Sequence, residues 1–212
     1  MTSNEIRNLD HVVVATPDLS ATVAEFEQAT GVRPEPGGAH PDRGTRNHLV
    51  TFGEGHYLEI IGVDSDQPEP VEQRPFLIDE RTHAVVATWA AHPDDIDGKA
   101  AAALDAGLNV GPVGDGARRT PSGDLLQWRL TPALTAGRDG AVPFLISWEG
   151  STSPAETVSA TAELVSLVVR HPDPQALSAQ YALLDVSLPI EQADEPGFTL
   201  VIAGPTGQWE LS

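Results

Sequence analysis

Apolar residues along the chain recur in a pattern that appears three times. LDHVVVAT (Leu9 to Thr16) is a short run rich in β-branched residues and bounded by polar ones, as expected of a buried strand. After a polar turn comes SATVAEFEQATG, which predicts a helix capped by Ser20 and ended by Gly31. HAVVAT, opening at His83, matches the HVVVAT that opens at His11 in five of six positions. It too leads to a helical stretch, HPDDIDGKAAAALDAGLNV, with Asp94 or Asp95 as cap and Gly107 as stop. A third, weaker copy, SLVVRHPDPQALSAQYALLDV, begins at Ser166, with Pro172-Asp173 standing where Pro17-Asp18 stand in the first.

Alternating strands follow each helix. RNHLVTFG (46–53) and HYLEIIGV (56–63) flank a Gly-Glu-Gly turn, DLLQWRL (124–130) and PFLISW (143–148) flank a loop, and GFTLVIAG (197–204) and QWELS flank Pro-Thr-Gly. Each unit therefore reads β-α-(β)-β-β, over residues 5–64, 80–150 and 160–212, with acidic, proline-bearing linkers at 64–75 and 150–159. This predicts an α+β fold. A β-α-β-β-β unit leaves sheet edges and one face bare, so two such units should pair into a curved sheet around a concave pocket. The third unit is then expected to pack beside them or to pair with its counterpart in a homodimer.

Alternation places His11, Val13 and Ala15 on one face, and likewise Tyr57, Glu59 and Ile61, and His83, Val85 and Ala87. Glu59 stands out because YLEII would otherwise be wholly apolar, and a buried charge needs a partner or a metal. If the first and last strands of the unit are neighbours, His11 and Glu59 meet on the concave face, and His83 would join them from the paired unit. Two imidazoles and a carboxylate suit Fe(II), Mn(II), Zn(II) or Ni(II) with positions open to substrate oxygens. The residues leave plainer readings open: His11 as a hydrogen-bonded core histidine, Glu59 on a solvated edge strand, His83 at a solvated strand start.

Composition narrows the partners. With 31 Asp and Glu against 12 Lys and Arg, the net charge of -19 disfavours nucleic acid and anionic membranes, leaving a small molecule as the expected ligand. The absence of cysteine excludes thiolate ligands, thiol nucleophiles and disulfides. No apolar run approaches the ~20 residues of a bilayer span, and MTSNEIRNLD shows no secretory pattern, so a cytoplasmic location is expected. There is no phosphate-binding glycine loop with lysine, no G-x-S-x-G and no H-E-x-x-H; GPVGDG (111–116) reads as a turn.

GGAHPDRGTRNHLV (37–50) is the second distinctive stretch. Its glycines Gly37, Gly38 and Gly44 permit close backbone approach, and Arg46 is a candidate clamp for an anion, with Asn47, His48, Tyr57 and Trp148 as further substrate-binding candidates. Alternatively His40, Arg43 and Arg46 satisfy loop carbonyls, Asn47 holds the turn, and His48, opposite Asn47, belongs to pocket or core. Arg118-Arg119 reads as a solvated turn, and Trp128 and Trp148 as core or pocket-wall aromatics.

HVVVATPDL, GGAHPDRGTRNHLV, GHYLEIIG and PFLISW together resemble the glyoxalase-like domain proteins of the vicinal oxygen chelate superfamily, over about residues 8–150. That resemblance implies paired βαβββ modules. It implies an activity of lyase, isomerase or dioxygenase type, as in glyoxalase I, extradiol dioxygenases and epimerases, or binding without turnover, as in some antibiotic-resistance proteins. It places metal ligands at His11, Glu59 and His83, with Glu59 also the catalytic carboxylate. A fourth would fall near Ile146 to Trp148, where the chain offers only Ser147, with Glu149 just beyond. The resemblance thus implies a three-ligand centre or a metal-free pocket, rather than the four ligands of glyoxalase I.

Overall fold

Two sheets of unequal size organise the molecule. The computed structural model describes residues 6–40, 43–70, 72–120 and 123–212; the remainder, including Pro41 and Asp42 of the glycine-rich loop, the start of the first predicted unit and Pro121 after the Arg118-Arg119 turn, lie outside the described residues. The first unit runs β1 (Leu9–Thr16), α1 (Leu19–Thr30), β2 (Glu35–His40), β3 (Thr45–Gly53) and β4 (His56–Val63). The second runs β5 (Val85–Ala91), α2 (Ile96–Asp105), β6 (Gly114–Arg119), β7 (Leu125–Leu130) and β8 (Phe144–Ser147). After a short α3 (Pro154–Thr157), the third runs β9 (Glu163–His171), α4 (Pro174–Leu184), β10 (Ile190–Gln192), β11 (Gly197–Gly204) and β12 (Gly207–Leu211).

Aspartates, not Ser20, begin the helices. Asp18 accepts from the Ala21 amide at 3.0 Å and Asp95 from the Gly98 amide at 3.0 Å, and Asp173 serves α4 in the same way. Gly31 ends α1 in the left-handed conformation, φ 72°, that glycine adopts without strain.

The first two units form one eight-stranded sheet in the order β2-β3-β4-β1-β5-β8-β7-β6. β1 runs parallel to β4 and antiparallel to β5, so the two units meet through their opening strands. The sheet curls until its outer strands approach: Arg118 on β6 donates from Nη1 to the Gly37 carbonyl on β2. β1 is buried along its whole length because both faces are covered. Val12 and Val14 enter a core with Phe26, Leu58, Ile60 and Trp89, while Val13 and Ala15 join Tyr57, Ile61, Phe144 and Ile146 on the concave side.

The third unit shares the β-α-β-β-β chain order but not the pairing. Its order is β10-β9-β11-β12, with the opening strand inside the sheet, whereas β1 ends the row of its own unit's strands. The unit covers the back of the large sheet. Trp209 meets Phe26 edge-on at 5.1 Å, Tyr181 meets Trp89 edge-on at 5.5 Å, and the Tyr181 hydroxyl donates to the Ala141 carbonyl at 2.8 Å. Among the described residues no helix is long and apolar enough to cross a membrane.

Candidate functional site

The concave face encloses a cleft of ≈ 730 Å³, within the range that holds small organic ligands. Its polar floor comes from three adjacent strands. β1 pairs with β4 so that His11 lies beside Tyr57 and Val13 beside Glu59, and β3 places Leu49 beside Glu59 and Asn47 beside Ile61. His11, Asn47, Tyr57 and Glu59 therefore all face the cleft. His11 Nε2 stands 3.8 Å from Glu59 Oε2.

Each of these two groups is held from behind. Asn47 Nδ2 donates to Glu59 Oε1 at 2.6 Å. Asp10 Oδ1 lies 2.7 Å from His11 Nδ1, and the Trp148 indole donates to Asp10 Oδ2 at 2.9 Å, with His92 Nδ1 3.3 Å from the same oxygen. Burial pushes the Asp10 carboxyl up, but hydrogen bonds to His11, His92 and Trp148 outweigh it and hold the group at about 2. An ionised Asp10 accepts from Nδ1–H, which turns Nε2 toward Glu59 and the cleft.

Tyr57 stacks on the His11 ring at 4.6 Å, and Phe144 meets it edge-on at 5.5 Å. Burial drives the Tyr57 phenol well above its ordinary value, so the residue is a platform for His11 rather than a base. His40, at the end of β2, bonds Thr45 at 3.1 Å and stands 3.5 Å from Asn47. Burial lowers its pKa and favours the neutral ring. Opposite this polar floor, Phe76, Trp128, Leu130, Phe144, Ile146 and Trp148 form an apolar wall.

Other residues proposed from the sequence lie elsewhere. His83 is exposed, two residues before β5 begins, and bonds only the neighbouring Thr82 among the described residues. β5 is antiparallel to β1, so Val85 lies beside Ala15 and the residue beside His11 is Ala90. Five residues at ~3.3 Å each separate those two β5 positions by about 16 Å. The repeated hexapeptide thus matches in letters and not in register. Arg46 and His48 have the opposite parity to Asn47 on β3 and point away from the cleft. Arg46 pairs with Asp64 at 3.0 Å, and His48 bonds the Pro34 carbonyl at 3.3 Å. Near the expected fourth ligand, Phe144 and Ile146 face the cleft and Glu149 turns outward toward Arg129, 3.7 Å away.

Three residues of the site were not proposed from the sequence. Asp10 escapes the alternation because the β1–β5 register shifts between Leu9 and His11, and the bulge lets consecutive residues share a face. An acid immediately before the histidine of a buried strand was the available signal. His40 reads as a loop residue in the sequence. Arg118 reads as solvated in the sequence, yet it is buried and lines the cleft.

A family model described as a glyoxalase-like domain matches residues 9–184. The chain belongs to that family. The match runs past the two-unit sheet and into α4 of the third unit. Among solved structures, the fold is similar to a hypothetical protein from Staphylococcus aureus, with 15% identity and a TM-score of 0.62, covering 96% of this chain and 85% of that one. It is also similar to a mutant of 4-hydroxymandelate synthase from Streptomyces coelicolor, with 16% identity and a TM-score of 0.52, covering 97% of this chain and 62% of that one. A methylmalonyl-CoA epimerase in complex with methylmalonyl-CoA aligns at 21% identity and a TM-score of 0.47, covering 71% of this chain and all of that one. No curated protein matches the chain.

Glyoxalase-like folds often carry a divalent metal, and the donor set here can be tested against one. His11 Nε2 and Glu59 Oε2 face each other, but His83 does not join them, and among the described residues no group of three or more His, Asp or Glu side chains is placed to hold an ion. The residues present do not fit the three-side-chain centre proposed from the sequence. This glyoxalase-like domain does hold a carboxylate and an imidazole, each positioned by its own buried partner, at the floor of an apolar cleft.

Proposed function

We propose that the chain is an enzyme of isomerase type that moves a proton on a small oxygenated organic molecule, with Glu59 as base. One observation carries this reading: Glu59 Oε2 and His11 Nε2 face each other across 3.8 Å with no hydrogen bond between them, while the opposite edge of each group is engaged. At that spacing the carboxylate keeps a lone pair directed at the cleft.

A substrate C–H next to a carbonyl lies over Glu59, with the apolar body of the substrate against Trp128, Phe144 and Ile146. The C–H bond breaks, the proton passes to Oε2, and the electron pair remains as an enolate. Delivery of the proton to the opposite face of the same carbon, after the enolate turns over in the cleft, gives epimerisation. Where that carbon carries a hydroxyl the intermediate is an enediolate, and return of the proton to the former carbonyl carbon, with the hydroxyl proton passing to the other oxygen, gives isomerisation. Neither outcome needs an oxidant or reductant. Asn47 keeps the carboxylate in one rotamer, and His11, steered by Asp10, is placed to exchange the proton with Glu59. The apolar wall excludes water, which strengthens each of these interactions.

The test is deuterium exchange. Purified protein in D2O is incubated with a panel of 2-hydroxy acids, 2-oxo acids and acyl thioesters, and loss of the α-proton signal is followed by NMR. Exchange of at least one member, lowered ~10²–10⁴-fold in Glu59→Gln, is the expected outcome. A protein that binds panel members without exchanging them is a sequestering protein, and the enzyme reading fails.

A further inference from the structure

Arg118 is a buried arginine with no ion-pair partner among the described residues. Of the two buried arginines among the described residues, Arg74 pairs with Asp79 at 2.6 Å and Glu69 at 2.8 Å, whereas Arg118 has no carboxylate of a described residue within 4 Å. Arg118 is only 6% exposed on a strand that is otherwise mostly exposed or half-buried. Its Nη1 donates to the Gly37 carbonyl, and its Nε and Nη2 have no partner among the described residues. Gly38 leaves room for this crossing: a Cβ there would stand 3.1 Å from Nη1 and 2.7 Å from the Arg119 carbonyl oxygen.

Closing the sheet does not account for the residue. Bridging β6 to one carbonyl on β2 uses a single N–H, which a neutral donor would supply without the cost of burying a cation. In a chain of net charge -19, most arginines lie beside carboxylates, as Arg46, Arg74, Arg129 and Arg138 do. The remaining N–H groups of Arg118 border the cleft on the side of His40 and Glu59, where burial and the charge of Glu59 both act on the guanidinium.

We infer that Arg118 is the anchor for a carboxylate of the ligand, and that the cleft takes small organic acids with an aromatic or branched apolar body. A guanidinium fork matches the two oxygens of a carboxylate, and the facing wall of Trp128, Phe144 and Ile146 suits the apolar part. The anion would supply the direct ion pair that Arg118 lacks among the described residues. The substrate class deepens the proton-transfer reading, but the anchor itself is a binding site and is testable without turnover.

Matched ligand pairs make the test. Quenching of tryptophan fluorescence, reporting on Trp128 and Trp148 in the cleft wall, is measured with phenylacetate, 3-phenylpropionate and 2-naphthoate, each against its uncharged primary amide. The wild type is expected to bind at least one acid ~10-fold or more tightly than its amide, and Arg118→Gln to lose that preference while still binding the amide. A purely structural arginine would weaken acid and amide alike. Should Arg118→Gln not fold, butanedione modification of wild-type protein, mapped by mass spectrometry, gives the same answer: the acid and not the amide protects Arg118. No acid preferred over its amide, a preference kept in Arg118→Gln, or protection confined to other arginines would each overturn the anchor. A working anchor without α-proton exchange would instead overturn only the proton-transfer reading.

Discussion

The two halves of the large sheet have the same order of elements and contribute very different surfaces to the cleft they share. From the first half come His11, Asn47, Tyr57 and Glu59, with His40 and Thr45 at the rim. At the corresponding depth the second half presents Trp128, Leu130, Phe144, Ile146 and Trp148, and beside His11 stands Ala90. The polar groups of the first half are cross-braced by Asp10 and Asn47, and the second half lends a brace through the Trp148 indole. A doubled fold therefore does not imply doubled ligands. The first half brings titratable groups to the cleft and the second an apolar wall, with Arg118 as the single buried cation of the second half among the described residues.

Substitutions in the two halves should separate along this line. The largest effect is expected for Glu59→Gln, a loss of ~10²–10⁴-fold in α-proton exchange with the fold intact by circular dichroism. Ile146→Val, at the same depth in the second half, should leave the exchange rate per bound substrate within a few-fold and cost about 1 kcal/mol of stability. Equal losses of exchange from both would break the division of labour.

Phe144→Ala should act on stability first. The ring is 4% exposed, meets His11 edge-on and lies 6.3 Å from Phe76, so its removal leaves a cavity under the imidazole. About 3–5 kcal/mol should be lost in urea unfolding, with exchange reduced because His11 loses a wall.

Asp10 gives a pH-dependent effect of intermediate size. Its carboxyl falls from 3.8 in the unfolded chain to about 2 in the fold, so its contribution is present in full above 3.8 and disappears as pH falls through about 2. The size of that shift corresponds to about 2 kcal/mol. Asp10→Asn should therefore be less stable than wild type at neutral pH by roughly that amount, and the gap should close between pH 4 and 2. A gap that persists unchanged at pH 2 would show that Asp10 acts by shape rather than charge.

Much of this architecture is legible in the sequence because burial writes itself into alternation. The two-faced burial of β1 produces the unbroken HVVVAT run, and the charge in YLEII marks the strand that carries Glu59 to the cleft. What alternation hides are departures from regular pairing. The bulge at Asp10 brings a carboxylate onto a face that parity forbids, and curling of the sheet buries Arg118 on a strand that reads as exposed. Parity did hold the answer for Arg46, which must point opposite to Asn47 and so meets Asp64 rather than the cleft. Strand order in the third unit could not be read at all, since β10-β9-β11-β12 and the first unit's order arise from the same succession of elements.

The smallest expected effect is the sharpest test of register. If the HAVVAT echo marked a ligand, His83→Ala would alter metal content and exchange much as His11→Ala does. In the structure His83 is exposed, precedes β5, and is separated from the cleft by the strand's own length. A surface substitution of this kind costs within about 0.5 kcal/mol. His83→Ala should therefore match wild type in unfolding midpoint, in metal content by elemental analysis and in exchange rate, while His11→Ala loses exchange. A metal content or rate that falls with His83 would mean that the second half contributes chemistry after all, through a register of β5 different from the one that sets Ala90 beside His11.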